Sequence, residues 1–309
     1  MSESAQHVST APPPQAVTNC GGKRVGARSL IEHPLISIIT VAFNKVKDLE
    51  RTIQSVVTQR YTTAEFIVVD GGSTDGSPEI LKAYDDSLDY WVSEPDSGIY
   101  DAINKACKLI RGDWMLFLGA GDTLHDDSVL ERIAEVLKDV DQSTEIVYGR
   151  VCLQSESGVP SKVWNKPWTE MNGLWETGRP ILPQHQGVFH RKRIVSGIAP
   201  FDTSYRIAAD SKLLLSSIKR VEPLFADVVV TDIQLGGVST DPKHSLRLAR
   251  EVRRLTNELG YRNTRHQAWT YLKALIKVTL YQFGGSSASR RFIDAYRRLT
   301  GRPGIWNAL

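Results

Sequence analysis

SEPDSGIYDAINKACKLIRGDWMLFLGAGD, residues 93–122, holds a loop, a helix, a strand and an acidic turn in succession. Asp96 and Gly98 open it. Ile99, Ala102, Ile103, Ala106 and Ile110 recur at helical spacing, with Asp101, Asn104, Lys105 and Lys108 on the opposite face. Gly112 stops the helix. Trp114 to Leu118 is a short uninterrupted apolar run, the pattern of a strand buried on both faces. It ends at Gly119-Ala120-Gly121-Asp122. Open α/β sheets bind ligands beyond the carboxyl ends of their strands, so a carboxylate on this glycine-loosened turn is a candidate site residue.

The chain on either side repeats the unit. Leu35 to Phe43 is a near-continuous apolar run, a first buried strand, and Asn44 is placed to cap a helix through Leu49, Ile53, Val56 and Val57. Phe66 to Val69 is a second strand, stopping at Asp70. Gly71 to Ser77 is a polar glycine-rich loop, and Pro78 suits the first turn of a helix carrying Ile80 and Leu81. Tyr90 to Val92 is a third strand. Downstream, Asp127 or Ser128 is placed to cap a helix with Val129, Ile133, Ala134 and Leu137 on one face, and Glu145 to Val151 is a further strand. This alternation over ~115 residues predicts an α/β fold, a mostly parallel central sheet with helices on both faces. Asp70, Asp96 and Asp122 then share one rim. Acidic residues in such loops also cap helices, which is a second reading of all three.

The flanks differ in character. Residues 1–34, with Pro12-Pro13-Pro14, lack apolar periodicity and are expected to be a disordered arm. Residues 152–185 lose the alternation. Trp164, Trp168 and Trp175 stand there among Pro, Gly and Asn, as either a lid facing an acceptor or a plain hydrophobic flap. His185 to His190 predicts a strand returning to the core, Asp202 to Tyr205 a turn, Ala208-Ala209-Asp210 the start of a helix, and Pro223 to Val230 a strand. Beyond the 35–240 domain, residues 241–309 read as a basic helical extension, with 14 Lys and Arg against 4 Asp and Glu; the rest of the chain has 24 against 31. Leu248, Val252, Leu255 and Leu259 form an apolar stripe, with Arg247, Arg250, Arg253 and Arg254 on the other faces. Trp269 to Phe283 is apolar but for Lys273 and Lys277. Such a tail predicts either attachment to a membrane surface or a helix packed on the domain with a solvated basic face.

Composition narrows the class. At 41% hydrophobic and 24% charged the chain is an ordinary globular one, which excludes a disordered or fibrous protein. Cys20, Cys107 and Cys152 show no paired spacing, as expected of free thiols in a reducing compartment. No signal-peptide pattern opens the chain, and no apolar run is long enough to span a bilayer. The expected location is cytoplasmic, peripheral on the inner face of the plasma membrane.

The loop Asp70-Gly71-Gly72-Ser73-Thr74-Asp75-Gly76 does not fit the dinucleotide fingerprint GxGxxG, and no GxxxxGK[ST] phosphate loop occurs. Its acids suit the N–H and O–H donors of a base or ribose better than a phosphate. Ile36 to Asn44 followed by Val68 to Gly76 resembles the start of glycosyltransferase family 2, whose fold is GT-A. Asp96-Ser97-Gly98-Ile99-Tyr100-Asp101-Ala102-Ile103-Asn104-Lys105 resembles the SGIYDAMNKG signature of a subgroup of bacterial cell-surface glycan transferases. Gly112 to Asp122 is similar to the family's strand and DxD region. The resemblance spans roughly residues 35–240.

The resemblance implies a non-processive, inverting glycosyltransferase, a hexosyl- or deoxyhexosyltransferase, since the QxxRW motif and membrane spans of processive members are missing. Phe43 would flank the nucleotide base, Asp70 would bond base or ribose, and Asp96 and Asp101 would line the donor pocket. Asp122 would hold a divalent metal, Mg2+ or Mn2+, at the donor diphosphate, and Asp210 would be the general base. Gly121 and Ala120 stand where many members carry another polar or acidic residue. The partners implied are a nucleotide-sugar and a glycan or lipid-linked acceptor, with no nucleic acid. His185 reads either as an acceptor-side group or as a histidine at the edge of the core. The competing functions are a nucleotide-sugar-binding paralogue without turnover, suggested by Gly121, and a nucleic-acid binder, suggested by the basic tail but without any reader motif.

Overall fold

All seven residues of Ile36–Ala42 are buried, and this strand lies in the middle of the sheet. The computed structural model describes residues 19–26, 35–154, 160–234 and 239–299. In chain order the elements are β1 (Asn19–Gly21), β2 (Ile36–Ala42), α1 (Val46–Val57), β3 (Ala64–Asp70), α2 (Ser77–Ala83), β4 (Tyr90–Ser93), α3 (Ile99–Cys107), β5 (Trp114–Phe117), β6 (Thr123–Leu124), α4 (Val129–Lys138) and β7 (Ile146–Gln154). There follow β8 (Pro160–Trp164), α5 (Trp168–Met171), β9 (Trp175–Glu176), β10 (Arg179–Pro180), β11 (Val188–Arg191), α6 (Lys192–Val195), α7 (Ala209–Ile218), β12 (Leu224–Gln234), α8 (Ser245–Glu258) and α9 (Thr264–Leu299).

The sheet runs β1-β4-β3-β2-β5-β11-β7-β12-β6, with β8 added to β7. Strands β4, β3, β2 and β5 are parallel, as are β7 and β12. Strand β11 is inserted antiparallel between β5 and β7. Alternate residues of β2 feed two cores. Ile38 packs with Leu49, Ile53, Leu81 and Ile133 of α1, α2 and α4; Ile39 packs with Ile103, Leu214 and Leu255 of α3, α7 and α8. Each fully buried Ile or Leu contributes ~1.5–3 kcal/mol, so both layers hold the rim strands in register. The expected sheet with helices on both faces is observed.

Several local expectations are corrected. Asn44 does not cap α1: it takes a left-handed conformation (φ 51°) and its side chain accepts from the Thr74 amide at 2.9 Å. The Val46 amide is satisfied instead by Asp75 at 2.9 Å, so the loops after β2 and β3 are cross-linked. Ser128 stands at the N-cap position of α4, but its side chain makes no capping bond: Asp126 accepts from the Ser128 amide and hydroxyl, while Asp127 pairs with Arg60. His185–Gly187 is a 3-10 turn, and the returning strand starts at Val188. In the stretch that lost its alternation, β8 returns along β7, and β9 and β10 form a small hairpin.

Part of the arm expected to be disordered is a strand. β1 pairs antiparallel with the edge strand β4, and Arg24 forms an ion pair with Glu65, which is wholly buried. Burial opposes the charge on Glu65. Hydrogen bonds from Ser37 and Arg111, with the Arg24 guanidinium, outweigh it and hold the carboxyl below its ordinary value. The rest of the arm, residues 1–18 and 27–34, lies outside the described residues, as do residues 300–309. In the extension, Val252 and Leu255 of α8 are buried in the same core as β2, with Leu248 and Leu259 packed against it. Of the two readings of this stripe, α8 takes the packed one.

Candidate active site

Register brings the loops of the rim together: Ala42 lies beside Asp70, and Asp70 beside Ser93. Phe43 follows β2 and is 61% exposed, although it is a large apolar side chain. A Cβ on Gly71 would lie 2.3 Å from Asp96 Oδ2 and 3.4 Å from the Phe43 ring. Only glycine lets these three groups meet. The other Asp96 oxygen accepts from the Gly98 amide at 2.7 Å. Phe43 and Asp96 therefore meet at Gly71, an aromatic ring and a carboxylate side by side on the rim.

Asp70 lies beneath that part of the surface rather than on it. It is fully buried; it accepts from the Ser73 amide at 2.9 Å, the Ser93 hydroxyl at 2.7 Å and the Ser73 hydroxyl. Its carboxylate builds the loop after β3. Asp101 likewise turns to its own helix start, accepting from the Ser97 amide at 3.0 Å. Gly98, at φ 121°, lets the chain enter α3 while the Arg206 guanidinium donates to the Ser97 carbonyl at 2.7 Å.

Asp210 lies in the first turn of α7, and the Tyr100 hydroxyl donates to its Oδ1 at 3.3 Å. Burial pushes the Tyr100 phenol far above its ordinary value, and the Asp210 charge adds to this, so Tyr100 is a permanent donor. The stretch 93–100 thus brings Asp96, in the loop after β4, beside Phe43 and Gly71, and Tyr100, in the first turn of α3, to Asp210. Arg179, on the β9–β10 hairpin opposite Glu176, is pulled down by burial and held up by the charges of Asp210 and Glu176. Glu251 of α8 accepts from the backbone amides of Arg206, Ile207 and Ala208 at 3.0, 2.9 and 3.0 Å. It fixes the loop that leads into Asp210. Beside the hairpin, a cleft of about 410 Å³ is lined by Trp175, Glu176, Ile181, Asn263 and His266, the Trp175 and His266 rings 6.1 Å apart.

His185 packs its ring against Phe117, His190 and Phe201 at 5.2, 5.5 and 6.4 Å. Both ring nitrogens are buried without a hydrogen-bond partner. Burial lowers its pKa, and the Asp210 charge raises it, so the ring stays neutral near Asp210.

Asp122 is reached by the turn Gly119–Asp122, closed by its own amide on the Gly119 carbonyl at 2.9 Å. Gly121 has φ 109°, a conformation that strains any residue with a Cβ. Arg51 donates to the Gly121 carbonyl, Thr52 donates to the Asp122 carbonyl at 2.7 Å, and Asp48 adjoins the turn. Burial pushes the Asp122 carboxyl up to about 7; Arg51 and the Gly119 amide pull it down, and Asp48 pushes it further up. Asp122 is half-buried, and its hard oxygen donors are of the kind that suits a magnesium- or manganese-like ion that keeps waters and phosphate ligands. No group of three His, Cys, Asp or Glu side chains poised for a metal occurs among the described residues. Asp122 would be a single protein ligand to such an ion.

Tyr100, Arg179 and Glu251 are absent from the sequence-derived candidates. Tyr100 lies inside the opening stretch, on the buried side of α3. Glu251 is the lone acid between Arg247, Arg250, Arg253 and Arg254, a pattern break that signals an inward task. Arg179 carries no such signal, because only the hairpin brings it round.

The family described as glycosyl transferase family 2 matches residues 37–196. An uncharacterized glycosyltransferase of Mycobacterium tuberculosis is 30% identical over 221 residues, covering 67% of this chain and 78% of that protein. A PGL/p-HBAD biosynthesis glycosyltransferase of Mycobacterium bovis is 31% identical over 183 residues, covering 57% and 67%. The solved structure of a mannosyltransferase from Pyrobaculum calidifontis, in complex with GDP-Man and Mn2+, has a similar fold. Its TM-score is 0.56 at 16% identity, over 87% of this chain and 81% of that one.

Proposed function

The chain belongs to glycosyl transferase family 2 and has the GT-A fold, and from that premise we propose that it moves one sugar, with inversion, from a nucleotide-diphospho-sugar to a hydroxyl of a lipid-linked cell-surface glycan or glycolipid. The sugar is a hexose or deoxyhexose. The observation that carries this reading is that one short stretch, 93–100, brings Asp96 beside Phe43 and Gly71 and, through the first turn of α3, Tyr100 to Asp210.

In this reading the base stacks on Phe43, and Asp96 holds the donor beside it. Asp70 acts through the loop it builds, and Asp101 through the start of α3. An acceptor hydroxyl is a poor nucleophile and needs a positioned base. Tyr100 holds one oxygen of Asp210, leaving the other to take the hydroxyl proton as the acceptor oxygen bonds to the anomeric carbon. The anomeric carbon–oxygen bond to phosphate breaks with its electron pair passing to the diphosphate. A divalent cation held by Asp122 would supply Lewis-acid stabilisation of that leaving charge. Arg179 adds fixed positive charge beside Asp210. The cleft of Trp175 and His266, next to the same hairpin, suits the acceptor glycan, and His185 supports the acceptor side as a packed ring. We place the protein peripherally on the cytoplasmic face of the membrane, where lipid-linked acceptors are presented. The basic count of residues 241–309 supports this. No helix of the described residues is long and apolar enough to cross a membrane.

The test is a screen of UDP-, GDP- and dTDP-sugars with Mg2+ or Mn2+, read as thermal shift and released nucleotide, repeated on Asp210→Asn. The expected result is retained donor binding and a loss of transfer by about 10²-fold or more in the variant. Transfer near the wild-type rate would overturn the assignment of the base. Donor binding with no turnover under any metal in the parent protein would favour the non-catalytic paralogue.

A further inference from the structure

Among the described residues, the outer face of α9 carries exposed apolar side chains. Its inner face is used: Gln267 donates to Thr256 of α8 at 2.9 Å, Thr270 stands 3.4 Å from where a Cβ on Gly178 of the β9–β10 turn would lie, and Ala274 is buried. At three- and four-residue steps on the opposite side stand Leu272, Leu275, Thr279 and Phe283. Leu272 and Leu275 are each 45% exposed and Phe283 is 88% exposed. Lys273 and Lys277 lie off this stripe, and Lys273 sits over the Trp269 and Tyr296 rings at 5.9 and 5.2 Å.

Two further features point to what covers the stripe. At Gly285 the helix breaks (φ 69°, ψ −169°), and the following segment returns alongside: Ser289 donates to the Lys277 carbonyl and Trp269 to the Tyr296 hydroxyl, both at 3.2 Å. Phe283 therefore stands at the tip of a helical hairpin. Beside the stripe, Tyr271 borders a groove of about 570 Å³ between α8 and α9, lined also by Arg250, Arg253, Arg254 and Asn257. Arg254 is engaged with Glu258 at 2.8 Å and with the Tyr205 ring. Arg250 and Arg253 form no ion pair among the described residues.

We propose that this face is the surface by which the protein lies on an anionic bilayer. The stripe from Leu272 to Phe283 enters the acyl boundary, and Arg250 and Arg253 receive lipid phosphates in the groove beside it. A contiguous exposed apolar stripe marks an interaction site, and a basic groove flanking it selects a charged bilayer over an apolar protein partner. Glu251, on the α8 turn that carries Arg250 and Arg253, holds the loop leading to Asp210, so α8 is tied directly to that loop. The proposal rests on the reading that the acceptor is lipid-linked, and it gives that reading a surface.

The test is flotation of the full chain with phosphatidylcholine vesicles and with vesicles containing about three parts in ten phosphatidylglycerol, at low and high salt. Binding is expected only to the anionic vesicles and is expected to fall with salt. The pair Arg250→Gln and Arg253→Gln should weaken it roughly five-fold per arginine, and Leu272→Ser with Leu275→Ser about ten-fold or more. All four side chains are exposed, so a thermal melt should not move. Equal binding to neutral vesicles, or unchanged binding in both variant pairs, would overturn the proposal. So would a parent dimer that the leucine pair converts to monomer, since a second copy would then be the occupant. Vesicle binding together with transfer only to soluble acceptors would instead remove the lipid-linked reading and leave the surface intact.

Discussion

Gly71 shows how closely Phe43 and Asp96 are set together on the rim. Its backbone is not in the left-handed region, so alanine is tolerated by conformation; the obstacle is the Asp96 carboxylate, 2.3 Å from where the methyl would stand. In Gly71→Ala, Asp96 must swing away and loses its bond to the Gly98 amide, costing about 1–2 kcal/mol at that loop. The expected outcome is donor affinity weaker by about ten-fold with a melting temperature lower by only a few degrees, checked by calorimetry and a thermal melt. Unchanged donor affinity would mean that the pair of Phe43 and Asp96 is not the donor site. At this scale the sequence announces acids but not what they face. Asp70, Asp96 and Asp101 look equivalent in the string, yet two of them are consumed by Ser73, Ser93 and Ser97. The distinction depends on which neighbouring loop donates, and that comes from strand register.

Elements were far more legible than their ends. Apolar periodicity requires only that one face of a helix be buried, and β2, β3, α3 and α4 all lie where that pattern puts them. Capping requires a partner, and here it comes from other loops: Asp75 serves α1 across the rim, and Glu251 serves the entrance of α7 from a helix 40 residues on. Glu251→Ala leaves three amides without their carboxylate acceptor. The expected loss is about 1–3 kcal/mol of stability and a fall in transfer, because the loop before Asp210 loosens. Glu251→Gln, whose amide oxygen still accepts, should fall between the two. A denaturant titration and single-turnover transfer check this; an alanine variant that melts and turns over like the parent would show that the loop holds itself.

For the whole molecule the question is where the catalytic body ends. Composition changes after Ser239, and that change suggests a boundary at 240, but charge is a surface property and does not report what a helix buries. Val252 and Leu255 lie in the same core as Ile39, Ile103 and Leu214. Their burial contributes roughly 3–6 kcal/mol, and the amides held by Glu251 add about 1–3 kcal/mol. Against a typical stability of about 5–15 kcal/mol, a chain stopped at 240 loses a large share of it. A chain stopped at 262 keeps α8 and gives up mainly the outward-facing helix α9. The 262 truncation is therefore expected to melt cooperatively, bind donor near the parent affinity and fail to float with anionic vesicles. The 240 truncation is expected to lose donor binding along with its cooperative melt. A 240 truncation that folds and binds donor like the parent would put the boundary back at the change in composition, and α8 would then be an appendage whose buried valine and leucine add little.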